Sequence, residues 1–221
     1  MSTVTSPAVR PPAVLYDIDW QTYTRLLRVF ERSGRKFRLT YDRGTLEIMS
    51  PLSWQHERPA ELLACFIVVL TEELDLPRMA GGSVTLRRRR KQGGLEPDNC
   101  YWIANAPLMQ GKREFDLRID PPPDLAVEVD VTSSSINRIG IYSALGVPEI
   151  WRLSTGGIAF HILESGVYQV RTNSLSFPQL ASADLVPFLA QWGQSDDTTI
   201  VRQFREWVKQ QLLPRSSAPQ P

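Results

Sequence analysis

The amino-acid sequence predicts an α/β domain in which a mixed β-sheet is flanked by helices. Apolar residues recur with helical spacing in some segments and alternate with polar residues in others, and the two kinds of segment follow one another along the chain. The chain has 221 residues, of which 42% are hydrophobic, so it can bury the core of one domain. We therefore expect a single domain over residues 15–213.

Four segments have the spacing of helices. Asp19 is the predicted N-cap of the first, in which Leu26, Leu27 and Phe30 form one apolar stripe. Pro59 falls early in the second helix and is expected to kink or delay its first turn. The predicted helices are WQTYTRLLRVFERS, residues 53–75 with Ser53 as cap, residues 136–145 between a Ser134 or Ser135 cap and Gly146, and residues 197–212.

Other segments alternate as strands do. KFRLTYDRGTLEIMS alternates on both sides of Asp-Arg-Gly, which is typical of a β-hairpin. SVTLRRRRKQGGLEPDNCYWI predicts two strands joined by a turn at Gly93 and Gly94. PDLAVEVDV predicts a buried strand, and EIWRLS, IAFHIL and VYQVRT predict three short strands after it.

The ends of the chain and its composition limit the class of protein. Residues 1–14 and 214–221 are rich in proline and are expected to be disordered. No apolar run approaches the ~20 residues that span a bilayer, and the N-terminus lacks the layout of a signal peptide. Cys65 and Cys100 are far apart and lack metal-type spacing, so we expect free thiols and a cytoplasmic protein without a membrane anchor. The net charge of +1 gives no bulk attraction to nucleic acid, although a local patch can provide it.

Acidic residues interrupt the buried strand in a regular way. Side chains alternate between the two faces of a strand, so Asp124, Glu128 and Asp130 share one face. The apolar residues between them share the other face: Leu125, Val127, Val129 and Val131. Asp98 opens the preceding strand, which can bring it within ~5 Å of Glu128. Carboxylate oxygens are the ligands that Mg²⁺ prefers, and Mn²⁺ is a close alternative. These acids either bind such a metal or simply cap turns and face water.

Four segments in order resemble the Uma2 family of endonucleases, which have a restriction-endonuclease-like core of the PD-(D/E)XK type. They are MSPLSWQHE, EPD, PDLAVEVDVTSSS and IYSALGVPEIWRL, and the resemblance spans about residues 20–190. It implies a restriction-endonuclease-like version of the α/β fold. It also implies that Asp98 and Glu128 are metal-binding acids for Mg²⁺ or Mn²⁺.

The sequence departs from the family motif at one position. The residue two after Glu128 is Asp130, where the plain motif has lysine. The resemblance implies that a basic residue of the following helix stands in, and Arg138 occupies that place, one turn before Tyr142. Arginine is effectively never deprotonated, so its contribution is electrostatic. Asp130 either binds a second metal or weakens the site.

Further candidates lie outside the acid strand. His56 follows MSP and is placed near the catalytic centre by the resemblance, where it can accept a proton; Glu57 beside it is a weaker candidate. The run RRRRK, in which Arg87, Arg89 and Lys91 share a face, is a candidate nucleic-acid-binding surface. Its alternative is a solvated hairpin tip. His161 fits the alternation of a late strand and is interpreted as structural.

Together with the strand face and its neighbouring acid, the resemblance implies a metal-dependent endonuclease that hydrolyses phosphodiester bonds, of DNA rather than RNA, with a water activated by the metal. Because two copies commonly cut the two strands of a duplex, we also expect a homodimer. The alternative is a catalytically inactive nucleic-acid-binding or structural homologue that keeps the nuclease fold.

Overall fold

Two β-sheets and six α-helices make up the described part of the chain. The computed structural model describes residues 12–34, 37–49, 54–130 and 136–214, with the backbone alone for residues 54–57. The helices are α1 (Trp20–Ser33), α2 (Trp54–Glu73), α3 (Ala106–Met109), α4 (Arg138–Leu145), α5 (Ser182–Leu189) and α6 (Asp197–Trp207), and a π-helical turn (Val208–Leu212) extends α6. The expected α/β class is confirmed.

The first sheet is antiparallel and has five strands. Its order is β1-β3-β2-β6-β5. The strands are β1 (Ala13–Leu15), β2 (Arg38–Asp42), β3 (Thr45–Met49), β5 (Leu86–Arg88) and β6 (Gly93–Leu95).

The second sheet is mixed and has six strands in the order β11-β10-β9-β8-β7-β4. The parallel pair, β8 and β9, lies at its centre, and the pairs from β8 to β4 and from β9 to β11 are antiparallel. The strands are β4 (Met79–Ala80), β7 (Asn99–Trp102), β8 (Leu125–Val129), β9 (Glu149–Ser154), β10 (Gly157–Glu164) and β11 (Val167–Arg171). The mixed sheet that the sequence predicts is therefore present, with a second sheet beside it.

Local sequence signals account for several boundaries. Asp19 caps α1 by accepting a hydrogen bond of 2.7 Å from the Thr22 amide. The β2–β3 hairpin turns at Arg43 and Gly44, which both have positive φ, as a two-residue turn of the primed type requires. Gly146 ends α4 in the left-handed region.

Some boundaries differ from the sequence prediction. Ala13–Leu15, at the end of the segment expected to be disordered, forms an edge strand on β3. Asn137 caps α4 through the Gly140 amide. The predicted caps Ser53, Ser134 and Ser135 lie outside the described residues, as do residues 1–11 and 215–221. The α5 helix was not predicted, and α2 begins before Pro59 and continues past it.

The turn predicted at Gly93 and Gly94 was wrong, because both glycines lie within β6. The chain instead reverses just before β6, in a 3-10 turn at Arg89–Lys91 that ends with Gln92 in the left-handed region. A Cβ atom on Gly94 would lie 2.3 Å from the hydroxyl oxygen of Tyr23. The glycine is therefore required by the close approach of α1 to the sheet rather than by a turn.

The two faces of β8 bury different layers. Leu125, Val127 and Val129 pack with α2, α5 and α6, as the alternation predicts. Ala126 on the other face packs beneath α4 in a second cluster. Every residue of β8 is buried, so Glu128 on the α4 face is covered by the fold rather than directed into water.

Both cysteines are free thiols, as expected. Cys100 is buried, and burial raises the pKa of its thiol to about 12. Cys65 is only partly buried. No helix among the described residues is long and apolar enough to cross a membrane.

Glu149 fastens the segment after β11 to the central sheet. Its buried carboxylate accepts hydrogen bonds from the Trp151 indole at 2.9 Å, the Leu175 amide at 3.1 Å and the Ser176 amide at 2.8 Å. Trp151 itself is fully buried in the core, as the motif GVPEIWR predicts. The motif therefore serves the architecture of the domain.

We predict that Glu149→Ala destabilises the protein by about 3 kcal/mol, because it leaves three donors without their acceptor in the interior. Urea unfolding followed by tryptophan fluorescence measures the loss. Glu164→Ala, which removes an exposed partner of Arg171, is the matched control and is expected to change the unfolding midpoint little. Equal midpoints for the two variants would contradict this role of Glu149.

Candidate functional site

Asp98 and Glu128 lie close together where β7 meets β8. Asp98 directly precedes β7, whose first residue, Asn99, pairs with Val127 of β8. The Asp98 amide donates to the Val127 carbonyl at 3.1 Å, and the charge of Asp98 acts on the carboxylate of Glu128, the residue after Val127. The two carboxylates that the sequence singles out are thus brought together.

Asp98 is held from two sides. Its Oδ2 accepts a hydrogen bond of 2.6 Å from the Val129 amide, and its Oδ1 contacts Nη1 of Arg38. The Asp98 side chain is 1% exposed and that of Arg38 is 17% exposed. The strand backbone therefore fixes the carboxylate, while a partly exposed guanidinium balances its charge.

Glu128 is held by α4. Its Oε1 accepts a hydrogen bond of 2.6 Å from Nη2 of Arg138 and a second from the Tyr142 hydroxyl, and its Oε2 accepts one of 3.2 Å from Nε of Arg138. Burial raises the pKa of Glu128, Arg138 opposes that rise, and the nearby charge of Asp98 adds to it. The effect of Asp98 on Glu128 shows that the two acids share one electrostatic environment.

Arg138 connects three parts of the fold. Besides Glu128, it donates to the hydroxyl of Thr40 at 2.7 Å and to the Glu96 carbonyl at 2.8 Å. Burial alone would lower the pKa of Arg138, but Glu128 and Tyr142 raise it above its ordinary value. Arg138 is therefore a buried, permanently charged residue that holds Glu128 in place. The electrostatic role toward a substrate that the sequence predicts for it stays a prediction.

The first sheet supplies two residues that the sequence did not identify. Arg38 and Thr40 alternate with Leu39 along β2, so both face away from α1 and toward the second sheet. Their alternation in KFRLTYD is visible in the sequence, but the site lies on a different sheet. Only the packing of the two sheets brings them to Asp98 and Arg138.

Asp130 and Arg152 form a second ion pair beside the first. Nε of Arg152 contacts Oδ2 of Asp130, and the two side chains are 43% and 25% exposed. Burial lowers the pKa of His161, with a further lowering from Arg152 and an opposing effect of Asp130, so the histidine lies close to this pair. Asp124, the third acid of the strand face, accepts hydrogen bonds from the Ile103 and Asn105 amides and has a structural role.

His56 and Glu57 lie on the backbone of α2, but their side chains are outside the described residues. The role expected for His56 therefore stays a prediction.

The arginine run lies at the edge of a groove of about 1050 Å³ between α1 and residues 114–118. Arg87 and Arg89 line it, and Lys91 is exposed in the adjoining 3-10 turn. The side chain of Glu96 lines the same groove, while its carbonyl accepts from Arg138, so the groove borders the carboxylate pair. Its charged side chains are balanced in number: Arg28, Arg87, Arg89 and Arg118 face Glu31, Glu96, Glu114 and Asp116.

The donor set fits a hard divalent cation at Asp98 and Glu128. Both are carboxylates, they lie close enough for the charge of Asp98 to act on Glu128, and the repulsion between them is relieved by positive charge, which Arg38 and Arg138 provide here. Among the described residues, no three His, Cys, Asp or Glu side chains form a larger metal-binding group. A cation here would therefore have two carboxylate ligands from the described residues rather than an all-protein cage.

The mixed sheet, its flanking helices and the neighbouring carboxylates define a domain of the restriction-endonuclease-like class. The chain belongs to the Uma2 family, whose model, described as "Putative restriction endonuclease", matches residues 20–199. A search of curated proteins found no match to this chain. Membership supports a nuclease-like function and nucleic acid as the substrate class, and restriction-endonuclease-like families typically use divalent metals.

We predict that Arg138→Met destabilises the protein by about 4 kcal/mol, because Glu128 then keeps a buried charge without its counter-ion. The double variant Glu128→Leu/Arg138→Met is expected to regain much of that loss. Urea unfolding of both proteins measures the coupling, with Arg171→Met at an exposed ion pair as control. A double variant no more stable than Arg138→Met would show that the two residues do not depend on each other.

Proposed function

We propose that the protein is a metal-dependent endonuclease that hydrolyses phosphodiester bonds of nucleic acid, with DNA as the preferred substrate. The observation that supports it most directly is the placement of Asp98 near Glu128 in one buried, charge-coupled cluster of a chain in this nuclease family. Mg²⁺ or Mn²⁺ is the proposed cofactor.

Asp98 and Glu128 are the residues that would hold the cation. When bound, such a cation polarises a phosphate oxygen and lowers the pKa of a water molecule. The Val129 amide orients Asp98, and Arg138 and Tyr142 orient Glu128, so neither carboxylate has to be ordered at the time of binding.

Arg38 and Arg138 differ in how firmly they are held. The Arg138 side chain is 9% exposed and donates to Thr40, Glu96 and Glu128, whereas that of Arg38 is 17% exposed and reaches Asp98 from the end of β2. We therefore expect a cation at this site to displace the Arg38 guanidinium and to leave Arg138 in place.

The proton released by the attacking water needs an acceptor. Arg138 cannot serve, because its guanidinium stays protonated. His56 remains the proposed acceptor, with a phosphate oxygen of the substrate as the alternative.

A non-catalytic homologue that binds nucleic acid is the second candidate. It is favoured by a specific observation: an aspartate stands where the motif has lysine, and the basic residue of α4 is clamped in the interior by its hydrogen bonds. Such a site keeps its charges but lacks the exposed amine of the plain motif.

Cleavage of supercoiled plasmid and of single-stranded DNA with Mg²⁺ or Mn²⁺ tests the nuclease proposal. We expect Asp98→Asn to lower the rate at least about a hundredfold, because it removes a charged ligand while an amide oxygen can still accept from Val129. Asp197→Asn, which breaks the ion pair between Arg58 of α2 and Asp197 of α6, is the matched control and should cut like the wild type. Equal cutting by all three proteins would indicate a contaminating nuclease and remove the proposal.

Metal binding without substrate separates the two candidates. Calorimetric titration with Mn²⁺ should give heat for the wild type and the Asp197→Asn control, and much less for Asp98→Asn. The absence of any Mn²⁺ binding by the wild type at millimolar concentrations would favour the non-catalytic homologue.

A further inference from the structure

A row of charged side chains crosses the central sheet at the candidate site. Asp98 directly precedes β7 and lies near Glu128 of β8, and Glu128 pairs with Arg152 in the parallel register of β8 and β9. Paired residues project from the same face, so Glu128 and Arg152 share one face of the sheet. Arg152 is thus the neighbour of Glu128 on the side away from Asp98.

The two arginines beside Glu128 differ in access to solvent. The Arg138 side chain is 9% exposed and that of Arg152 is 43% exposed. The hydrogen bonds of Arg138 to Thr40, Glu96 and Glu128 already use Nε and both terminal nitrogens. A substrate phosphate at this face therefore meets Arg152 more readily than Arg138.

Asp130 determines where the Arg152 guanidinium points. Its amide donates to the Leu153 carbonyl at 2.8 Å, which ties the end of β8 to β9. Its carboxylate contacts Nε of Arg152. A guanidinium has five N–H donors in a planar fork, so a contact at Nε fixes the plane while the terminal nitrogens can bind an anion.

The exchange of lysine for Asp130 therefore has a structural consequence. Asp130 does not itself carry a positive charge where the motif has lysine, but its carboxylate binds the guanidinium of Arg152 on the neighbouring strand β9. His161 of β10 pairs with Ile150, two residues before Arg152 on β9, and lies near the same ion pair. Three side chains thus lie beside the carboxylate pair: Asp130 directly after β8, Arg152 on β9 and His161 on β10.

We propose that Arg152 is the phosphate-binding residue of this site and that Asp130 positions it. The proposal rests on the proposed nuclease function and adds to it the group that holds the substrate backbone. Arg152 contacts a phosphate of the nucleic acid next to the carboxylate pair, which places the scissile bond there. Asp130 acts through Arg152 and does not touch the substrate.

The binding test uses a short fluorescein-labelled DNA duplex with Ca²⁺ in place of Mg²⁺ and follows fluorescence anisotropy over a range of KCl concentrations. Loss of one phosphate contact lowers the slope of log K against log salt by about 1. We expect this decrease for Arg152→Gln. Arg171→Gln, which removes an arginine from an exposed ion pair with Glu164 on β10 and β11, should keep the wild-type slope.

Two further variants test the positioning role in the Mg²⁺ cleavage assay. Asp130→Asn keeps the charge of Arg152, so it should retain the salt slope while lowering the maximal cleavage rate. Arg152→Lys should also retain the slope but cleave more slowly than wild type, because a point charge lacks the fork that Asp130 orients. Thermal unfolding checks that each variant is folded.

The outcomes separate this proposal from the function on which it rests. If the wild type binds and cuts DNA and Arg152→Gln does so with the same slope and rate, Arg152 is not the phosphate-binding residue, and the nuclease assignment stands. If Asp130→Asn matches the wild type in both assays, the positioning role is wrong. If the wild type neither binds nor cuts, the proposed function itself is overturned.

Discussion

The buried ion pair between Arg138 and Glu128 is the interaction on which the candidate site depends. A charge in a protein interior is stable only when it is paired and hydrogen-bonded, and each member of this pair meets that requirement through the other. Because Arg138 also reaches Thr40 and the Glu96 carbonyl, the same guanidinium fixes α4 against both sheets. The position of Glu128 is therefore determined by three elements at once.

That arrangement explains why a strand can carry acids on a buried face. The charges of Asp98 and Glu128 are balanced by Arg38 and Arg138, so the cluster is neutral as a whole when the four groups are ionised. Under the proposed metal-dependent function, a cation that enters this cluster would compete with a guanidinium. Arg38 is the more exposed of the two arginines, so it is the one that we expect the cation to displace.

The arginines around the carboxylate pair differ in how far their side chains are exposed to solvent. Arg138 lies inside and orients a carboxylate, whereas Arg152 lies at the surface, where a backbone phosphate can reach it. The nearby groove contains Arg87 and Arg89 but balances them with carboxylates, so its charge alone does not favour nucleic acid strongly. Attraction of a substrate therefore depends more on local geometry than on a large positive surface, which agrees with the net charge of +1.

The sequence by itself determined the elements whose signals are local: the capped helix α1, the β2–β3 hairpin and the alternation of β8. Alternation, capping and turn chemistry act over a few residues, so a single sequence can show them. Gly93 and Gly94 were misread as a turn because the reason for Gly94, the hydroxyl of Tyr23 on a distant helix, is not a local one. Likewise, only the tertiary structure decided that Arg38, Thr40 and Arg152 join the acids, since side chains on separate strands and sheets meet through packing that spans the whole chain. It also decided that Asp130 holds an arginine, because the partner of a charged group depends on what the fold brings within reach.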